Sequence, residues 1–81
     1  MANESTSEQV DYATLQQAYK TAVEHWIATI REEEALASVD PSVAQIDTWE
    51  HAHFAEEEAR DKAIEAKKEY EDALRQRLFG F

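Results

Sequence analysis

Cysteine is absent from the 81 residues, which excludes disulfides and any thiolate metal site. Glycine and proline occur once each. No glycine-rich loop can cradle a phosphate, and a composition so poor in turn formers, with abundant Ala, Glu, Lys, Gln and Leu, is that of long helices. No apolar run is long enough to span a bilayer, and the polar stretch from Met1 to Gln9 lacks the hydrophobic region of a secretory signal, so the expected compartment is the cytoplasm. Basic residues are also scarce, 8 against 18 acidic ones, for a net charge of −10. That balance excludes nucleic-acid backbones and anionic membrane surfaces as partners. It leaves basic proteins, cations or plain solubility, and the interleaving of acids and bases over the second half of the chain favours a solvated face.

Against this uniform background the stretch Ser38-Val39-Asp40-Pro41-Ser42 stands out as the one strong helix break. Proline has no backbone N–H and suits the first position of a helix, while the residue before it is pushed out of helical conformation. Asp40 therefore reads as an N-cap with Pro41 opening a second helix. A link of one or two residues near Val39 makes the two helices antiparallel neighbours. The expected fold is all-α: an antiparallel two-helix hairpin with helices over about 8–38 and 41–79, residues 1–7 a disordered tail and residues 8–81 a single domain. Ser5 and Glu8 stand at capping-box spacing for the first helix, and Gly80 is placed to cap the second.

The apolar residues repeat by heptads. Tyr12, Tyr19, Trp26 and Glu33 form one row, flanked by Leu15, Ala22 and Leu36 on one side and Val23, Ile30 and Ala37 on the other. In the second half Ala52, Ala59, Ala66 and Ala73 form a row, with Trp49, Glu56, Ala63, Tyr70 and Arg77 beside it. Folding the chain about its break aligns Tyr12 with Tyr70, Tyr19 with Ala63, Trp26 with Glu56, and Glu33 with Trp49. Each seam carboxylate then faces an indole N–H, a donor that needs an acceptor when buried. Two Trp–Glu hydrogen bonds, roughly 10 Å apart at a rise of about 1.5 Å per residue, are the expected buried polar seam.

In the same register Leu74, Leu78, Phe79 and Phe81 project past Tyr12, and with Tyr12 and Tyr70 they form the expected interaction surface. A second copy covering them would make a four-helix bundle. An 81-residue chain is near the size at which one core needs such help.

Ligand-type residues cluster only in Trp49-Glu50-His51-Ala52-His53-Phe54-Ala55-Glu56-Glu57-Glu58. On a helix Glu50 and His53, His53 and Glu56, and His53 and Glu57 share a side, whereas His51 points elsewhere. Glu33 crosses from the first helix, and His25 falls opposite Glu57. A carboxylate on one helix with a Glu-x-x-His pair on another is a half-site of di-iron helical bundles. Glu50-His51-Ala52-His53 with Glu33 is similar to the two-helix encapsulated ferritins. That resemblance implies iron or another divalent metal held through Glu33, Glu50 and His53 at a dimer interface, and the helical spacing adds Glu56 or Glu57 (Glu57 by preference) as a further ligand. The hairpin outline also resembles the small WXG-type proteins, but Val39-Asp40-Pro41 stands where their Trp-x-Gly turn belongs.

No Ser-His-Asp or Cys-His set supports nucleophilic catalysis, and a two-helix hairpin offers little pocket. The sequence thus favours a non-catalytic, homo-oligomeric interaction or assembly module without a cofactor. A ferritin-like, metal-binding protein with ferroxidase-like activity is the alternative.

Overall fold

A computed structural model describes residues 11–37 and 42–80. It contains two helices packed against each other, α1 (Tyr12–Leu36) and α2 (Val43–Phe79), with no strand among the described residues. The pair forms a slender body of 62 × 25 × 14 Å. Neither helix is long and apolar enough to cross a membrane.

The helix ends differ from those read in the sequence. α1 begins at Tyr12, because Asp11 caps it: the Asp11 carboxylate accepts from the Thr14 backbone N–H at 3.2 Å and from the Thr14 hydroxyl. Those hydrogen bonds, the side-chain one foremost, hold the Asp11 carboxyl below its usual range. α1 stops at Leu36, where Ala37 turns extended. α2 begins at Val43 with Ser42 as its N-cap. The Ser42 hydroxyl accepts from the Gln45 N–H while the Gln45 side chain accepts from the Ser42 N–H, a reciprocal capping box that satisfies two exposed donors. The described ends facing the turn are thus Ala37 and Ser42, and the link expected near Val39 lies outside the described residues. The tail over 1–7, the Ser5–Glu8 cap, the Asp40-Pro41 start and Phe81 lie outside the described residues. At the far end Gly80 closes α2 with φ +79°, donating its N–H to the Gln76 carbonyl at 2.8 Å. This left-handed conformation strains any residue with a Cβ, which is why glycine belongs there.

The seam between the helices has the three-and-four spacing of a coiled coil. α1 contributes Tyr12, Leu15, Tyr19, Ala22, Trp26, Thr29, Glu33 and Leu36, all buried or half-buried. α2 contributes Ala52, Glu56, Ala59, Ala63, Ala66, Tyr70 and Ala73, also buried or half-buried. Among the described residues only Ala59, Ala63, Ala73 and Thr29 are buried, at 2, 3, 7 and 5% exposure. Small residues at the centre of α2 let the two helices approach closely. Thr29 completes the row of Leu15, Ala22 and Leu36. Its hydroxyl is satisfied within α1 by donating to the Trp26 carbonyl at 2.6 Å, so a polar residue is tolerated at the most enclosed point of α1. Ile30, expected beside the seam, is 43% exposed.

The cross-helix pairing is not uniform. Trp26 meets Glu56. Toward the open end the contacts run one heptad further along α2 than the aligned rows predict. Tyr19 lies against Tyr70, with ring centroids 6.1 Å apart, a contact the aligned rows do not predict. Tyr12 lies under the Arg77 guanidinium at 5.0 Å and donates its hydroxyl to the Ala73 carbonyl at 3.3 Å, instead of facing Tyr70. Helical side chains lean toward their own N-termini, so long residues on antiparallel helices meet at tips displaced from their Cα level. Alanine has no reach, and the tyrosines pass over Ala63 to find rings and stems. In consequence Tyr12 stands level with Ala73–Arg77, and Leu74 is half-buried and no longer part of a free overhang. Leu78 remains 69% exposed.

Candidate functional site

Near the closed end of the hairpin, α1 supplies Trp26 and Glu33 while α2 supplies Trp49, His53, Glu56 and Glu57. Trp26 Nε1 donates to Glu56 Oε2 at 2.5 Å, the one expected Trp–Glu bond present. A charge-assisted hydrogen bond in a half-buried seam contributes about 1.5 kcal/mol. Glu33 does not reach Trp49. Its Oε2 lies 3.5 Å from His53 Nδ1, one helical turn further along α2. Trp49 instead turns its ring onto His53, centroids 5.3 Å apart and planes within 7° of parallel. Trp49 and His53 are four residues apart, so they are neighbours on one helix face. That stack forms within α2 alone and leaves the indole 44% exposed.

Three ligand-type side chains thus converge from two helices. One nitrogen of His53 and one carboxylate oxygen each of Glu33 and Glu56 lie within 4.8 Å of one another, and all three residues are half-buried. The other ring nitrogen, His53 Nε2, lies 3.7 Å from Glu57 Oε1. Of the four ligands expected from the sequence, Glu33 and His53 belong to this group, and Glu57 stands behind the imidazole. Glu50 is exposed and outside it. Glu56, assigned to the indole, serves both neighbours. The sequence signal for this set was available as His-x-x-Glu at 53–56, the reverse of the Glu-x-x-His order at 50–53. His51 places Nδ1 3.0 Å from the Asp47 carbonyl of its own helix and takes no part. His25 is not beside Glu57; it borders a groove with Thr21, Ala22 and Lys62.

The remaining surface has two unlike sides. In an antiparallel pair, positions just after the seam residues on one helix flank their counterparts on the other. Val23, Ile27 and Ile30 of α1 and Ile46 and Ile64 of α2 fall on one such side, where Leu74 and Leu78 extend the row. Ile27, Ile30, Ile46 and Ile64 are 42–55% exposed. The opposite side is small and polar: Thr14, Gln17, Ala18, Thr21, His25 and Lys62 line one groove, and Glu32, Ala35, Thr48, His51 and Ala55 line another. Elsewhere on α2 Lys68 and Arg75 both bind Asp72. The Lys68 hydrogen bond foremost holds the Asp72 carboxyl below its ordinary value.

No family model, curated protein or solved structure matches this chain.

Proposed function

We propose that the chain is a non-catalytic helical assembly module that pairs with a second copy of itself through its isoleucine side, forming a four-helix bundle. One observation carries the reading. Among the described residues the hairpin buries nothing larger than threonine, while Ile27, Ile30, Ile46 and Ile64 stand on the surface, along with Leu78. Two helices of 25 and 37 residues that meet through alanines cannot by themselves remove these side chains from water. Burying each would contribute about 1.5–3 kcal/mol.

The charge pattern points to a second copy. Lys20, Arg60 and Lys67 on that side nearly balance Glu34, Glu50, Glu57 and Glu71, so the apolar side carries little of the net −10. The excess acid sits on the outward faces, where it repels other chains and limits growth beyond a closed bundle. Leu78 extends the side toward the open end, and Leu74 of the tail expected from the sequence continues the same row.

Sedimentation velocity of the untagged chain at two ionic strengths tests this. Self-association of two −10 chains tightens as salt screens their repulsion, whereas attachment to a basic partner weakens. The expected result is a dimer whose dissociation constant falls several-fold between about 0.01 and 0.15 M salt, as the Debye length shortens from about 30 to 8 Å. A monomer at every salt concentration would remove the proposal.

A further inference from the structure

We propose that Glu33, His53 and Glu56 form a binding site for a divalent first-row transition-metal ion that clamps α1 to α2. The three donors come from two helices and already converge within 4.8 Å. Around a four-coordinate ion with metal–ligand bonds of about 2.0–2.1 Å, neighbouring donors are roughly 3.3 Å apart. The 3.5 Å between His53 Nδ1 and Glu33 Oε2 is close to that separation, and the third donor, on Glu56, lies within 4.8 Å of both.

The surroundings match what such an ion requires. A ligating imidazole is normally oriented by a second partner on its other nitrogen, and Glu57 Oε1 lies at 3.7 Å from Nε2. The Trp49 stack fixes the ring plane. Trp26 holds one oxygen of Glu56, which orients that carboxylate and leaves its second oxygen for the ion. Two half-buried carboxylates face each other here, with the Glu33 side chain only 19% exposed, and neither pairs with a lysine or arginine among the described residues. The charge between them is left for His53 or a cation to balance.

One imidazole and two carboxylates suit zinc, iron, manganese or cobalt, and the absence of cysteine removes the softer alternatives. Three protein donors leave a coordination position for water. All the ligands lie within one chain, so the ratio is one ion per chain whatever the state of association.

The test titrates the untagged full-length chain with CoCl2 alone, reading the visible ligand-field band, Trp emission and calorimetry, followed by displacement with ZnCl2. The expected result is one Co2+ per chain, quenching of emission because Trp49 lies on His53, and displacement by Zn2+. Glu33→Gln and His53→Gln should each weaken binding at least about 100-fold, and Glu57→Gln about tenfold. Glu50→Gln and His51→Gln should leave it unchanged. Circular dichroism of each variant checks folding, and Glu33→Gln, which leaves the Trp26 bond intact, keeps the test valid should Glu56 variants unfold. The proposal is overturned by the absence of stoichiometric binding at millimolar Co2+. Binding that survives His53→Gln overturns it too, as does binding lost with Glu50→Gln but kept with Glu33→Gln.

Discussion

Ile27→Asp combined with Ile64→Asp is expected to give a monomer at every concentration up to about 100 µM, with a lower and concentration-independent melting temperature. Each isoleucine contributes about 1.5–3 kcal/mol when buried, and a symmetric dimer contains both positions twice. An aspartate in their place must be desolvated without a partner, which adds to the loss. Within a single hairpin the same positions are 42 and 55% exposed, so their replacement leaves the alanine seam intact. The helices should therefore persist in part but melt earlier, because the dimer no longer stabilises the folded chain by mass action. Sedimentation velocity and melts at several protein concentrations supply the readout. The matched control, Gln17→Asp with Thr21→Asp, adds the same charge to the opposite groove and should dimerise like the parent. If both double variants behaved alike, net charge and not the isoleucine side would govern association.

Ala59→Leu with Ala63→Leu should be the most damaging change inside the hairpin. These residues are 2 and 3% exposed and one helical turn apart in the seam between the helices. Overpacking costs about 1–3 kcal/mol per site, and two adjoining sites do not add simply. A fall in melting temperature of roughly 10–20 °C follows for a chain of this size. Leucine in an ordinary coiled-coil seam would do the reverse, filling space and raising the melting temperature. The sign of the shift thus decides whether the helices are in close contact at these alanines. Ala28→Leu, on the exposed face of α1, should be nearly neutral because both residues favour helix.

Much of this architecture could be read from residue spacing. The fold-back was legible because one break interrupts two heptad patterns, and the Trp26–Glu56 bond because an acid on an apolar row needs a donor opposite. The second Trp–Glu bond failed for a local reason: Trp49 is four residues from His53 and stacks within its own helix, which frees Glu33 for the imidazole. Uniform alignment of the rows also ignored side-chain length. Tyr12 and Tyr19 lean past small partners to Arg77 and Tyr70, a displacement that no pattern of residue types encodes. Thr29 was passed over because a hydroxyl looks out of place among Leu15, Ala22 and Leu36, yet it bonds to its own backbone. The helix starts were obscured by competition between caps. Asp40-Pro41 is the stronger signal by composition, but Ser42 with Gln45 closes a reciprocal pair of hydrogen bonds. Ile27 and Ile64 occupy positions that read as solvent-facing within either helix alone, and only the pairing of the helices puts them on one side. The metal-type cluster was largely legible: Glu33 and His53 were in view and Glu56 was an alternative to Glu57, while Glu50, the other expected ligand, is exposed and lies outside the group.

The fold-back itself can be measured in solution because the chain has no cysteine of its own. Spin labels at Gln17→Cys and Lys68→Cys, diluted with unlabelled protein so that only pairs within one chain are read, sit on the outer faces of the two helices at matching levels. Two helices of about 10–12 Å diameter lying side by side place these labels roughly 20–30 Å apart. A pulsed-EPR distance in that range is the expected result. A distance near 75 Å, the length of about 51 residues at 1.5 Å each, would mean a continuous rod or an exchange of helices between chains, and would contradict the hairpin.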